Sequence, residues 1–200
     1  MYKKIISITT VIFLALISII PVNAEDNDCM VTRAELANEV MNVCEYITQE
    51  FSLPMEERPV FEDIEKSPFR FRILQAHVNG FMNGVGDEKF MPEQSVSKCQ
   101  AAVSLYRLMQ YLNTKYDCKQ EDQPIDISDY NLIPDWGTEA VVFMVSTELM
   151  SLKDDKFYPD NSISRIELDE VIEKIKNIFV TDDGERIDFQ EFLERMNQNK

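Results

Sequence analysis

The chain has 200 residues and a formal net charge of −16, with 36 acidic and 20 basic residues. A chain this acidic, with its basic residues scattered, lacks the concentrated positive surface that nucleic acid and anionic lipid surfaces require. Because 44% of the residues are hydrophobic, the acidity does not indicate disorder, and we expect a packed core.

The first 24 residues are typical of a secretory signal peptide. Lys3 and Lys4 precede an apolar run over residues 5–20, and Val-Asn-Ala at 22–24 provides a small-residue cleavage site. This run is too short, and too close to the cleavage site, for a comfortable transmembrane span. No later segment is long and apolar enough to cross a bilayer. We therefore predict an exported protein without a membrane span once residues 1–24 are removed.

The four cysteines also fit an exported chain. They are Cys29, Cys44, Cys99 and Cys118. No two are spaced as C-x-x-C, which argues against zinc or thioredoxin-like chemistry. An even number of cysteines in an oxidising compartment predicts two disulfides, and small buried thiols are the alternative.

The chain contains an internal repeat. Residues 86–100 align without a gap onto residues 153–167 when Phe90 is matched to Phe157. Two further stretches extend the repeat: Phe61-Glu62-Asp63 matches Ile127-Ser128-Asp129, and Val31-Thr32-Arg33-Ala34-Glu35 repeats the end of the unit. The sequence therefore predicts one partial unit, 29–50, and two full units, 61–112 and 127–179.

Each full unit is predicted to contain two helices. The apolar face of the first helix is predicted to carry Phe71, Leu74, Val78 and Phe81 in one unit, and Trp136, Ala140, Phe143 and Met150 in the other. The second helix begins at a capping box, which occurs as Thr32 with Glu35, Ser97 with Gln100, and Ser164 with Glu167. Apolar stripes follow each box, at Leu36, Val40 and Cys44, at Val103, Tyr106 and Leu108, and at Leu168, Ile172, Ile175 and Phe179.

A unit that opens with Phe-x-Asp, turns at Asp-x-x-Phe-x-Pro and closes near Thr-Arg-Ala-Glu resembles the S-layer homology (SLH) repeat of bacterial envelope proteins. The resemblance extends from Val31 to about Phe179 and is best over 127–178. The chain departs from the family pattern in three places. The first unit lacks its opening half, Lys98-Cys99-Gln100 stands where the family prefers Arg-Ala-Glu, and Phe69 is near the Trp position of the second unit.

The resemblance implies an all-α, pseudo-threefold module with a parallel central bundle of three capping-box helices. Family members are non-catalytic anchors without a cofactor, so we expect no enzyme. They bind pyruvylated secondary cell-wall polysaccharide or modified peptidoglycan, which implies a secreted, envelope-associated protein. By this resemblance the glycan-binding residues are Arg33, Lys98, Arg165, Trp136, Asp63 and Asp129.

The physical chemistry of the basic position supports this role. A helix N-terminus presents unpaired amides and a partial positive charge, and an adjacent guanidinium grips a carboxylate in two places. Lys98 supplies a positive charge but lacks the paired donors of a guanidinium, so its site is expected to bind a carboxylate more weakly. Trp136 either stacks on sugar or packs in the core. The net charge opposes an anionic polymer and favours a cationic one, and the sequence leaves both ligands open.

The implied bundle also pairs the cysteines. The N-terminal ends of its helices lie together, as do the C-terminal ends, which predicts Cys29 with Cys99 and Cys44 with Cys118.

Other signals are weaker. Residues 180–191 resemble the second half of an EF-hand ending at Glu191, but the first carboxylate is missing, so we favour a turn at Gly184 and a short closing helix over calcium binding. No metal site is predicted, and His77 is expected to be an ordinary helix residue. Two alternatives to glycan anchoring stay open: a degenerate SLH protein that binds a protein partner, and a calcium-responsive acidic protein.

Overall fold

The computed structural model describes residues 29–50, 61–113 and 126–180. Within these ranges the fold is helical and contains no named strand, which confirms the all-α class. The helices are α1 (Arg33–Thr48), α2 (Arg70–Val78), α3 (Lys98–Asn113), α4 (Asp135–Ser146) and α5 (Arg165–Phe179), with a 3-10 helix at Tyr130–Leu132. In the ranges described, no helix has the length and apolar character to cross a membrane.

Several predictions lie outside the described residues. They are the signal peptide at 1–24, the segment 181–200 with its calcium alternative, and Cys118 with its predicted bond to Cys44.

Three of the helices begin at reciprocal side-chain caps. At the start of α1, the Glu35 amide donates to Thr32 Oγ1 at 3.3 Å and the Thr32 amide donates to Glu35 Oε2 at 2.8 Å. The same contacts open α3 at Ser97 and Gln100, and α5 at Ser164 and Glu167. Each cap satisfies amides that a helix N-terminus otherwise leaves unpaired.

A ring of backbone hydrogen bonds joins the three capped ends. The Val31 amide donates to the Ile163 carbonyl at 3.1 Å, the Ile163 amide to the Val96 carbonyl at 2.9 Å, and the Val96 amide to the Val31 carbonyl at 2.9 Å. All three residues are buried, and each one directly precedes a cap residue. The ring therefore holds the starts of α1, α3 and α5 side by side.

A second set of bonds links each helix start to the loop of another unit. The first amide of each helix donates to a loop carbonyl: Arg33 to Gln94 at 2.8 Å, Lys98 to Asn161 at 2.8 Å, and Arg165 to Cys29 at 2.9 Å. In each case the acceptor is three residues before the cap residue of its own unit. This places the basic residue of one unit against the loop of the next.

The core forms where α1 packs against α2, α3 and α5, and where α3 packs against α4. The stripes predicted for α1 and α5 are buried. The face predicted for α2 is partly wrong, because Phe71 and Val78 are 58% and 52% exposed while Ile73 and Leu74 are buried. A helix of nine residues offers few turns from which to assign a face.

The two loop turns repeat the same strained backbone. Left-handed φ values occur at matched positions of the two full units: Asp87 and Asp154, Glu88 and Asp155, Met91 and Tyr158. Non-glycine residues rarely adopt this conformation, and Asp tolerates it better than most. Its recurrence supports the alignment of the two units.

The predicted bond between Cys29 and Cys99 is not formed. Both thiols are free, Cys29 exposed and Cys99 buried. The Cys29 carbonyl accepts from the first amide of α5 rather than α3. The Cys99 sulfur lies against Gly137 of α4, at a distance that leaves no room for a side chain there. The N-terminal ends do lie together, but the Cys29 main chain is bonded to α5 and the Cys99 sulfur is packed against α4.

Candidate functional site

A groove of about 480 Å³ opens where the start of α1 meets the second unit. We call it the first groove. Its lining includes Arg33, Asn83, Gln100, Ser104, Arg107 and Trp136. Arg33 comes from α1, Asn83 from the loop before the 86–89 turn, and Trp136 from α4. The other three residues come from α3.

Arg33 is held in this groove by main-chain oxygens. Its Nε donates to the Phe90 carbonyl at 2.7 Å, and Nη2 donates to the Asn83 carbonyl at 2.7 Å. The guanidinium lies over the Phe90 ring, 4.6 Å from its centroid. Two carbonyls and a ring face therefore fix its orientation without neutralising its charge.

Burial affects the pKa of Arg33. It is only 5% exposed, and this desolvation lowers the pKa of the guanidinium, an effect that the nearby Asp63 charge partly offsets. Arginine stays protonated at physiological pH after such a shift. The groove thus holds a permanent cation in a partly dry setting, where electrostatic attraction is stronger than in water.

Trp136 is the chain's single tryptophan and lines the first groove. It is 61% exposed at the start of α4, so core packing does not account for it. An indole face beside a polar groove offers an apolar surface on which a sugar ring can lie.

The first groove is cationic within an acidic protein. Arg33 and Arg107 both line it, Gln100 is neutral, and no Asp or Glu is among the described residues that line it. Asp63 is close, but its two carboxylate oxygens accept from the amides of Phe90 and Met91. An anionic group would meet two cations and no lining carboxylate.

A second groove of about 350 Å³ lies at the start of α3. Its lining includes Lys98, Lys153, Tyr158 and Glu167. Lys98 Nζ contacts Glu167 Oε1 at 2.6 Å. Burial opposes the charge of Glu167, but the hydrogen bond from Lys98, the hydrogen bonds from Ser164 and the charge of Lys98 together outweigh it and lower the pKa of the carboxyl. The family's basic position is therefore paired with a carboxylate in this groove.

Arg165 is also paired with acidic side chains. Its Nη2 contacts Glu39 Oε1 at 2.9 Å and its Nε contacts Asp169 Oδ1 at 3.0 Å. Burial alone would lower its pKa, but Glu39 and then Asp169 outweigh this effect and raise it. Arg165 lines neither groove.

The two aspartates predicted to bind glycan both accept hydrogen bonds from backbone amides. Asp129 accepts from the amides of Phe157 and Tyr158, both at 2.8 Å, and Asp63 makes the matched contacts in the other full unit. Each carboxylate closes its turn onto the segment that opens the unit. Neither lines a groove, so we leave both out of the proposed site.

Sequence reasoning missed Ser104 and Arg107. They follow Gln100 by four and seven residues, a spacing that places all three on one helix face. That periodicity could have revealed them if the polar face of α3 had been examined alongside its apolar stripe. His77, in contrast, packs as expected, with its ring 4.9 Å from that of Phe61.

The comparison with protein families agrees with this description. The family model of the S-layer homology domain matches residues 126–168, the segment that contains α4 and the start of α5. This confirms the resemblance over that segment. No curated protein matches the chain. An SLH domain is a non-catalytic module of the cell surface that typically binds cell-wall polymers.

Proposed function

We propose that this protein is a non-catalytic envelope protein that binds an acidic cell-wall glycan in the first groove. One observation carries the proposal: Arg33 and Arg107 line the same groove as the exposed Trp136, without a lining carboxylate. Cations and an aromatic face together suit a sugar that bears a carboxylate. The ligand class we favour is a pyruvylated polysaccharide or a peptidoglycan with exposed acid groups.

The proposal includes the pseudo-threefold arrangement of one partial and two full units. The ring at Val31, Val96 and Ile163 supports it, since each unit contributes one equivalent donor and one equivalent acceptor. The repeated caps and turns support it as well. In this arrangement each groove lies between the basic residue of one unit and the loop of the next.

Cosedimentation with purified sacculi tests the function. We expect the protein, without residues 1–24, to pellet with intact sacculi. Loss of pelleting with sacculi stripped of polysaccharide identifies the polysaccharide as the ligand, and retained pelleting identifies peptidoglycan. Trp136→Ala is expected to lose binding with an unchanged melting temperature, because the side chain is exposed. Tyr130→Ala is the matched control, since it removes an aromatic ring that is 49% exposed and outside both groove linings. Equal binding by the two variants would refute the site.

A protein partner is the second candidate. Lys98 forms an ion pair with Glu167, and Arg165 forms one with Glu39. Two of the three basic side chains are therefore already neutralised by carboxylates, which favours a protein partner over an acidic glycan. Protease treatment of the sacculi separates the two candidates. Glycan binding survives the treatment, whereas binding to an envelope protein is lost.

A further inference from the structure

The three basic positions meet different partners. Lys98 forms an ion pair with Glu167, the third residue of α5, and Arg165 forms one with Glu39. Arg33 shares its groove with Gln100, which occupies the same helix position as Glu167. The first groove thus has an amide where the second has a carboxylate.

A buried hydroxyl in the first groove lacks a partner. Ser104 is 3% exposed, lines the groove, and its Oγ makes no hydrogen bond within the part of the chain that the structure describes. Buried hydroxyls are normally paired, so this one is free to bond to a ligand or an ordered water in the groove. The matched position of α5 is Val171, which has no such group.

One turn after Ser104, α3 carries Arg107, and the contacts of this residue differ from those of its match in α5. Arg107 lines the first groove, and no described carboxylate forms an ion pair with it. Its match in α5, Lys174, donates to the carbonyls of Glu148 and Leu149 at 2.9 and 3.5 Å. Two independent features, a missing carboxylate and an unpaired hydroxyl, therefore distinguish the first groove.

We infer that Gln100 is the specificity-determining residue that allows the first groove alone to accept the acid group of the ligand, with Ser104 Oγ and Arg107 as contacts. This inference rests on the proposed function. A carboxylate at position 100 would neutralise Arg33 as Glu167 neutralises Lys98, and would repel an anionic ligand. The amide keeps the helix cap and adds no charge.

Trp136 fluorescence tests the inference, because the only tryptophan of the chain lines the first groove. The probe is the methyl glycoside of a pyruvylated N-acetylhexosamine, and its methyl ester is the neutral control. We expect saturable quenching by the acid, and binding weaker by at least about tenfold for the ester.

Two nearly isosteric variants form the matched pair. Gln100→Glu is expected to weaken probe binding by about tenfold or more, since like charges brought together disfavour the complex. Glu167→Gln makes the reverse change in the second groove and should leave the Trp136 titration unchanged. Both residues retain a capping side chain, and thermal melts check that both variants fold.

Ser104→Ala tests the hydroxyl separately. The variant is expected to bind the probe more weakly by about tenfold or more, as for one lost hydrogen bond to a charged group, without a lower melting temperature. A wild-type affinity in Gln100→Glu would overturn the inference, as would equal binding of the acid and its ester. If the probe fails to quench the wild type while intact sacculi still bind, the inference is wrong and the proposed function stands. If sacculi do not bind either, both fail.

Discussion

Replacing Asp129 by alanine tests whether the repeated aspartates are structural clamps or ligand contacts. Asp129 is 5% exposed, and its carboxylate accepts two backbone amides, those of Phe157 and Tyr158, both at 2.8 Å. A hydrogen bond to a charged group contributes about 1.5–3 kcal/mol. Losing both predicts a fall of about 3–6 kcal/mol in the free energy of unfolding.

The assay is thermal and urea unfolding followed by circular dichroism. For a chain of this size about 1 kcal/mol corresponds to 2–4 °C, so Asp129→Ala should lower the melting temperature by about 6–24 °C. Asp129→Asn keeps one acceptor and should lose about half as much. Asp126→Ala, an exposed aspartate three residues earlier, is the control and should change stability by less than about 0.5 kcal/mol. Near-wild-type stability of Asp129→Ala together with lost glycan binding would refute the clamp.

Three further predictions follow from the packing and the charges. Gly137→Ala should lower the free energy of unfolding in urea by about 1–3 kcal/mol, because the new methyl group would overlap the Cys99 sulfur. An unchanged free energy of unfolding would contradict the close α3–α4 packing. Cys29 should react with maleimide in the native protein, because its thiol is free and exposed. Cys99 should react only after unfolding, since burial raises its thiol pKa to about 11. A disulfide-linked Cys29–Cys99 peptide in a non-reduced digest would contradict the free thiols. Burial opposes the charge of Glu167, but its contacts with Lys98 and Ser164 outweigh burial and lower the pKa of the carboxyl. Its contribution to stability is therefore present above the unfolded value of about 4.3 and is lost as pH falls through the folded value. Unfolding between pH 3 and 6 should therefore show a steeper acid loss for the wild type than for Glu167→Gln, and parallel curves would count against the pair.

The features that were predictable from the sequence are local. A capping box depends on two residues three apart, so Thr32, Ser97 and Ser164 could be assigned from spacing alone. The apolar stripes of α1 and α5 repeat every three or four residues and were predicted correctly. The matched turns followed from the gap-free alignment of two units.

The features that were missed depend on which neighbour a side chain meets. Spacing identified Arg33 and Arg165 as equivalent. Arg33 contacts loop carbonyls, whereas Arg165 contacts carboxylates on α1 and on its own helix. The thiol of Cys99 faces Gly137, a contact between helices that no local pattern encodes. Trp136 fits the apolar spacing predicted for α4, but its side chain is exposed to solvent.

The central claim is that an acidic sugar binds beside Arg33. A crystal structure of the protein with the pyruvylated hexosamine probe tests it most directly. We predict the carboxylate within hydrogen-bond distance of Arg33 or Arg107, with the sugar ring against Trp136. A probe seated beside Lys98 or Arg165, with an empty first groove, would contradict the account.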